Sequence, residues 1–179
     1  MIRTLLFDLD GTLIDTEKYY RRFWRESLRS FGYVMTDEQA LSMRSLGRPF
    51  AVDRLKEMYG EDFDYPKVRN KRIELMNACI EENGIDIKPG VVKLLTYLRE
   101  NGYQTAVATA TNIERTTKYL KETGLYDFFD DVISAVMVKQ GKPAADVNLY
   151  ACEQLGVSPS DCIAVEDSPN GVMSAYRAG

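Results

Sequence analysis

No histidine occurs anywhere in the chain. That absence removes Ser/His/Asp and Cys/His triads, histidine-ligated zinc and phosphohistidine transfer. Chemistry must run on carboxylates, lysine, hydroxyls, thiols or a bound ion. Cysteine is scarce as well: Cys79, Cys152 and Cys162 stand far apart without Cys-x-x-Cys spacing, and their odd number argues against a disulfide framework, so they read as core thiols. No apolar run is long enough for a membrane span or a signal peptide. Residues 2–7 are the one apolar N-terminal stretch, and Asp8 interrupts it. A cytoplasmic address is the expectation, with no membrane partner. An excess of positive charge is missing too, and a net charge of −4 opposes wholesale attraction to nucleic acid.

What is present is enough apolar sequence for one good core. The 179 residues are 45% hydrophobic, which allows a smaller attached module besides. Residues 2–7 form a short apolar run ending in Asp-Leu-Asp-Gly-Thr, as a buried strand feeding a tight turn does. Residues 105–108 run into Thr109 and residues 162–165 into Glu166-Asp167-Ser168 in the same manner, and residues 132–134 give a weaker fourth strand. Helical patterns at 91–101, 113–123 and 146–155 lie between them, the last two stopped by Gly124 and Gly156. Strand alternating with helix is the rhythm of an α/β fold with a parallel sheet, whose ligands gather at the carboxyl ends of the strands. Asp8, Asp10, Thr109, Glu166 and Asp167 all fall at such ends.

Residues 15–88 break the rhythm. They contain no convincing strand and read as helices at 17–31, 37–44, 52–59 and 68–83, an inserted helical module. Tyr20, Phe23, Trp24, Leu28 and Phe31 recur at spacings of three and four, which reads as a core stripe rather than a stacking surface. Arg21, Arg22, Arg25 and Arg29 are assigned to a solvated face. Arg48, Lys71 and Arg72 can face either the cleft or solvent.

Asp8 and Asp10 are one residue apart at a strand end and are followed by Gly11, which lets the chain turn sharply. Two adjacent carboxylates attract a hard cation such as Mg²⁺, and they can also divide labour, one attacking phosphorus while the other gives a proton to the departing alkoxide. Thr109 offers a hydroxyl, and the backbone N–H groups that follow, beginning with Ala110, can hold a phosphate oxygen at the start of the next helix. Thr111 and Asn112 are alternative caps for that helix. Lys142 precedes Pro143, which suits the first turn of the 146–155 helix and brings an ammonium to the mouth of the sheet, where it offsets the charges of Asp8 and phosphate. Glu166 and Asp167 complete an acidic cluster with Asp8 and Asp10.

Asp8-Leu9-Asp10-Gly11-Thr12, Thr109, Lys142-Pro143 and Glu166-Asp167 together resemble the four motifs of the haloacid dehalogenase superfamily, in their order and approximate spacing. The resemblance runs from residue 5 to about 177. It implies a Rossmann-like parallel sheet core made of residues 1–14 and 89–179, with an α-helical cap at 15–88. The cap is similar to that of the subgroup containing β-phosphoglucomutase and sugar-phosphate phosphatases. It also implies that Asp8 forms an aspartyl-phosphate, that Asp10 protonates the leaving group and later activates water, and that Thr109, Ala110 and Lys142 bind the transferring phosphate. Mg²⁺ would be held by Asp8, the Asp10 carbonyl and Asp167, with Glu166 beside them. Relatives usually follow the helix at 170–178 with a further strand and helix, so a shortened sheet edge is expected at Gly179.

The reading that follows is a phosphatase of small phosphorylated metabolites, with sugar phosphates first among the substrates. A phosphosugar mutase shares the first chemical step. Tyr20 stands where the mutase has a cap histidine, and the residues around 45–48 also depart from the mutase pattern, which favours hydrolysis. A protein that binds phosphate esters without turning them over is the third alternative.

Overall fold

Both faces of the runs at residues 4–7 and 105–109 are buried, which is why they read as near-continuous hydrophobic stretches, whereas the run at 162–165 leaves Ile163 exposed. The computed structural model describes residues 2–47 and 49–179; Arg48 lies outside the described residues. Four parallel strands, β1 (Thr4–Phe7), β2 (Gln104–Thr109), β3 (Asp131–Ser134) and β4 (Cys162–Val165), form one sheet in the order β3-β2-β1-β4. Eight helices are described: α1 (Glu17–Arg29), α2 (Asp37–Ser42), α3 (Phe50–Tyr59), α4 (Tyr65–Asn83), α5 (Val91–Glu100), α6 (Ile113–Glu122), α7 (Asp146–Leu155) and α8 (Pro169–Ala178).

Successive side chains of a strand point to opposite faces. Leu5, Phe7 and Val107 pack with Val91, Leu95 and Leu98 of α5 and with Tyr119 and Leu120 of α6. Leu6, Ala106, Ala108 and Ile133 pack on the other side with Val147, Ala151 and Cys152 of α7. Burying a side chain such as Phe7 contributes about 2–3 kcal/mol. The result is a parallel sheet with helices on both faces, as the α/β reading expected. No helix among the described residues is long and apolar enough to cross a membrane.

The helices between β1 and β2 build a separate apolar cluster, in which Trp24 and Leu28 of α1 meet Met35, Ala40, Leu55, Phe63 and Val68. The basic side of α1 is solvated as expected: Arg21 and Arg25 pair with Asp37, and Arg22 pairs with Glu26. α4 begins earlier than its apolar period suggests. The Asp64 side chain accepts from the Lys67 N–H at 3.0 Å and Pro66 fits the first turn, so capping chemistry sets the start.

Two expectations are corrected. Pro143 lies ahead of the α7 N-cap residue Ala145 rather than inside the first turn. Its segment is fastened to α8 instead, where Arg177 Nη1 donates to the Pro143 carbonyl at 2.8 Å and Ser174 Oγ to the Ala144 carbonyl at 2.6 Å. The cysteines are not uniformly core thiols either: Cys152 is buried, whereas Cys79 and Cys162 are half-buried, because their helix and edge strand carry them to the rim of the packing.

Candidate active site

Strand register brings the acidic motifs together. Phe7 pairs with Val165 across β1 and β4, so the next residues, Asp8 and Glu166, leave the sheet side by side, and the Asp8 N–H donates to the Val165 carbonyl at 3.0 Å. Gly11 then turns back with φ of +89°, and a Cβ there would run into the Asp167 carboxylate. Glycine at this position lets the β1 and β4 loops touch.

The structure brings Asp8, Glu166 and Asp167 into one cluster whose ligand oxygens lie within 4.8 Å of one another. Asp8 Oδ2, Glu166 Oε2 and Asp167 Oδ1 are buried without a hydrogen-bond partner. Three orphaned carboxylate oxygens converging from two strand ends are the donor set a hard divalent cation takes, so these residues fit Mg²⁺. The Asp10 side chain is not part of that cluster. Its Oδ2 accepts from Thr111 Oγ1 at 2.6 Å and its Oδ1 from the Thr16 hydroxyl. Burial, reinforced by the nearby Asp8 charge, pushes Asp10 up to about 6 despite these two hydroxyls.

Lys142 is completely buried, and its Nζ donates to Asp8 Oδ1 at 2.7 Å and to Glu166 Oε1. Burial acts against the ammonium most strongly, but Asp8 and Glu166 together outweigh it and leave the lysine above its ordinary value. Glu166 is raised by burial and then by Asp8, against the pull of Lys142. Replacing Lys142 with Met would leave two buried carboxylates without a counter-charge. The expected cost is about 3–5 kcal/mol, read as a lower urea midpoint in metal-free protein at pH 7.

Thr109 is buried, and its hydroxyl accepts from the Thr111 N–H at 3.1 Å, shaping the loop that carries Ala110. The open choice of helix cap is resolved: the Asn112 side chain caps α6 by accepting from the Arg115 N–H at 3.2 Å, which leaves the Thr111 hydroxyl to Asp10.

Arg44, Glu17 and Thr16 reach the site without a sequence signal, and Thr111 and Tyr20 reach it in roles the sequence did not give them. Arg44, from the loop after α2, pairs with Asp167 and lies 3.2 Å from Glu17. Burial and the Asp10 charge push Glu17 up to about 8 against the effect of Arg44. Thr16 and Thr111 bracket Asp10, and the Tyr20 hydroxyl lies 3.1 Å from that of Thr111. The helical segment meets the sheet loops closely: the Gly47 N–H donates to the Lys142 carbonyl at 2.8 Å, and Asn170 Nδ2 to the Arg44 carbonyl at 2.9 Å. A Cβ on Gly47 would collide with the Gly141 backbone, so this approach requires glycine.

Between the two layers lies a cavity of about 380 Å³. Asp8, Asp10, Thr109, Ala110 and Thr111 line it from the sheet, and Glu17, Tyr20, Trp24, Arg44, Arg69 and Arg72 from the helices. The α1 stripe is therefore divided. Phe23 and Leu28 are core, while Tyr20 and Trp24 at its edge also wall the cavity. A buried carboxylate with one free oxygen, a lysine on its other oxygen and a second carboxyl group titrating near neutrality can serve as nucleophile, charge-neutralising partner and proton donor.

Known proteins resemble this chain over nearly its whole length. Residues 2–179 match the family described as haloacid dehalogenase-like hydrolase. Hexitol phosphatase A of Escherichia coli (strain K12) is 33% identical over 175 residues, covering 97% of this chain and 78% of its own. Fructose-1-phosphate phosphatase YqaB of the same organism is 27% identical over 175 residues, covering 98% and 92%. Among solved structures, β-phosphoglucomutase from Clostridium difficile matches with a TM-score of 0.87 and 26% identity over 99% of this chain and 82% of that one.

Proposed function

Because the chain belongs to the haloacid dehalogenase-like hydrolases, we propose that it is a Mg²⁺-dependent phosphatase of small phosphorylated metabolites, sugar phosphates first among them, working through an aspartyl-phosphate on Asp8. The observation that carries this reading is the state of Asp8: buried, held by Lys142 through Oδ1, with Oδ2 unpartnered, at the wall of the cavity. Residues 15–88 act as a cap over a core of residues 1–14 and 89–179. The separate apolar cluster of Trp24, Leu28, Leu55 and Phe63 supports that division.

A carboxylate oxygen of Asp8 forms a bond to phosphorus as the bond from phosphorus to the ester oxygen breaks. Asp10 delivers its proton to that oxygen, and the alcohol leaves. Asp10, now ionised, takes a proton from water as the water oxygen attacks the phosphorus of the aspartyl-phosphate, which releases inorganic phosphate and restores Asp8. An Asp10 raised to about 6 is suited to both steps, since it exchanges its proton close to neutral pH. Lys142, Thr109 and the Ala110 N–H orient the phosphoryl oxygens and offset their charge. Asp8 and Asp167, with Glu166 beside them and the Asp10 carbonyl, would hold Mg²⁺. The ion supplies charge neutralisation on the transferring phosphoryl group.

With Mg²⁺ and a panel of small phosphate esters, phosphate release is expected. EDTA should lower it more than about tenfold and added Mg²⁺ restore it, given the size of charge stabilisation a metal provides. Turnover that needs no divalent ion would sink the mechanism. Conversion of β-glucose 1-phosphate to glucose 6-phosphate with little free phosphate would reassign the protein as a mutase, and tight binding of esters without turnover would make it a binding protein.

A further inference from the structure

Cys152 and Cys162 are nucleophilic groups that the chemistry above leaves unused. Both are free thiols, and their sulfurs lie 3.7 Å apart. The local chain path brings them together. Gly156 ends α7 in the left-handed conformation at φ of +67°, and the Val157 N–H donates back to the Cys152 carbonyl at 3.0 Å. A 3₁₀ turn at Pro159–Asp161 then reverses the chain, so that Cys162 opens β4 beside the end of α7. Cys152 lies in the apolar cluster between α7 and the sheet, and Cys162 packs against that same cluster.

The two thiols differ in what can reach them. Cys152 is 3% exposed, and burial, followed by the hydrogen bond and charge of Cys162, pushes its thiol up to about 12. It therefore stays protonated and enclosed. Cys162 is half-buried at the rim, where its sulfur donates to the Ser158 carbonyl at 3.4 Å. An accessible thiol backed by an enclosed one is the arrangement in which oxidation of the first is captured by the second. Cys79 supplies the contrast. It is half-buried too, but its sulfur lies 3.5 Å from Asn83 Nδ2, with no second thiol beside it among the described residues.

We propose that Cys152 and Cys162 form an oxidation site that takes a hydroperoxide and closes to a disulfide, fastening the start of β4 to α7. The Cys162 sulfur attacks one peroxide oxygen and the O–O bond breaks. That oxygen stays on sulfur as a sulfenic acid, and the other leaves as an alcohol or water with the Cys162 thiol proton. The Cys152 sulfur then attacks the sulfenic sulfur, the S–S bond forms, and the hydroxyl departs as water with the Cys152 proton. Two electrons pass from the sulfurs to the peroxide. An odd number of cysteines argues against a disulfide framework but not against one reversible bridge. β4 is the strand that gains from it. β4 pairs with β1 on one side and with no strand on the other among the described residues, and it leads directly into Glu166 and Asp167.

The test exposes the reduced protein to a small molar excess of hydrogen peroxide. Its intact mass is expected to fall by two hydrogens, and the thiols titrated in denaturant to drop from three to one. After proteolysis at Glu153, the peptides holding Cys152 and Cys162 should stay joined until dithiothreitol separates them. The oxidised protein should melt about 5 °C higher, because closing a loop constrains the unfolded chain, and dithiothreitol should reverse the shift. Cys162→Ser, a change at the rim, should form no bridge and show no shift. Cys152→Ala should behave alike, and if it does not fold, Cys162→Ser and the mapped bond in the wild type decide. Three surviving thiols, oxygen atoms added to separate sulfurs, a bond to Cys79 or between two chains, or an oxidised protein that melts no higher each overturns the inference. None of these readouts depends on ester hydrolysis, so their failure leaves the phosphatase reading standing.

Discussion

Replacing Asp8 with Asn is expected to lower kcat for phosphate-ester hydrolysis by at least about 10⁴-fold, because an amide cannot become the covalent acceptor and no neighbouring group can take its place. Asp10 is held through both oxygens by Thr16 and Thr111, and Glu166 is not among the residues that line the cavity, so neither carboxylate is placed to substitute. The fold should tolerate the change. The amide oxygen can still accept from Lys142, and the site loses one of five crowded carboxyl groups, those of Asp8, Asp10, Glu17, Glu166 and Asp167, which among the described residues face only Lys142 and Arg44 in direct ion pairs. The informative comparison is therefore steady-state phosphate release beside a thermal melt of the same sample. A variant that melts like the wild type and retains more than about 1% of its rate would show that Asp8 is not the nucleophile, since loss of a covalent acceptor leaves far less.

Why Asp8, Lys142, Glu166 and Asp167 were legible in the sequence, while Arg44, Thr16 and the role of Tyr20 were not, follows from how each reaches the site. Asp8, Glu166 and Asp167 stand at the ends of apolar strands, and parallel register forces residues that follow paired positions, such as Phe7 and Val165, into one row; Lys142, in the loop between β3 and α7, was legible through its place in the motif order. The row is a short-range consequence of hydrophobic pattern, readable without coordinates. Arg44 comes from a loop after a six-residue helix and meets Asp167 only because Gly47 lets its segment lie against Gly141. Nothing in local composition marks an arginine for that. Thr111 and Asn112 were equally good caps by residue type, and tertiary demand separated them, because Asp10 needed a hydroxyl. Tyr20 and Trp24 share the period of the α1 core stripe, but a stripe has an edge, and periodicity does not say whether the edge meets protein or a cavity. The fold, being mostly alternation and capping, was the more legible part.

Asp10→Asn is expected to disable the protein and stabilise it at the same time. Without a proton to give or take, hydrolysis should fall by about 10²–10⁴-fold, the usual range for a lost general acid and base. Stability should move the other way, with a definite dependence on pH. Burial, and after it the charge of Asp8, raises the Asp10 carboxyl from an ordinary value of 3.8 to about 6. Between those values the folded protein holds a proton that the unfolded chain has released. The wild type therefore loses stability as pH rises through this window, because ionised Asp10 is worse accommodated in the fold than in water. Asparagine carries no such charge, and its amide can accept from one threonine hydroxyl and donate to the other, since hydroxyls do both. In metal-free protein the two should unfold alike near pH 4. Above pH 7 the variant should be more stable by about 1–3 kcal/mol, at roughly 1.4 kcal/mol per pKa unit. Urea unfolding across that pH range reads the difference directly. A gap that is constant with pH, or a wild type that gains on the variant as pH rises, would mean that Asp10 is not the proton reservoir its burial implies.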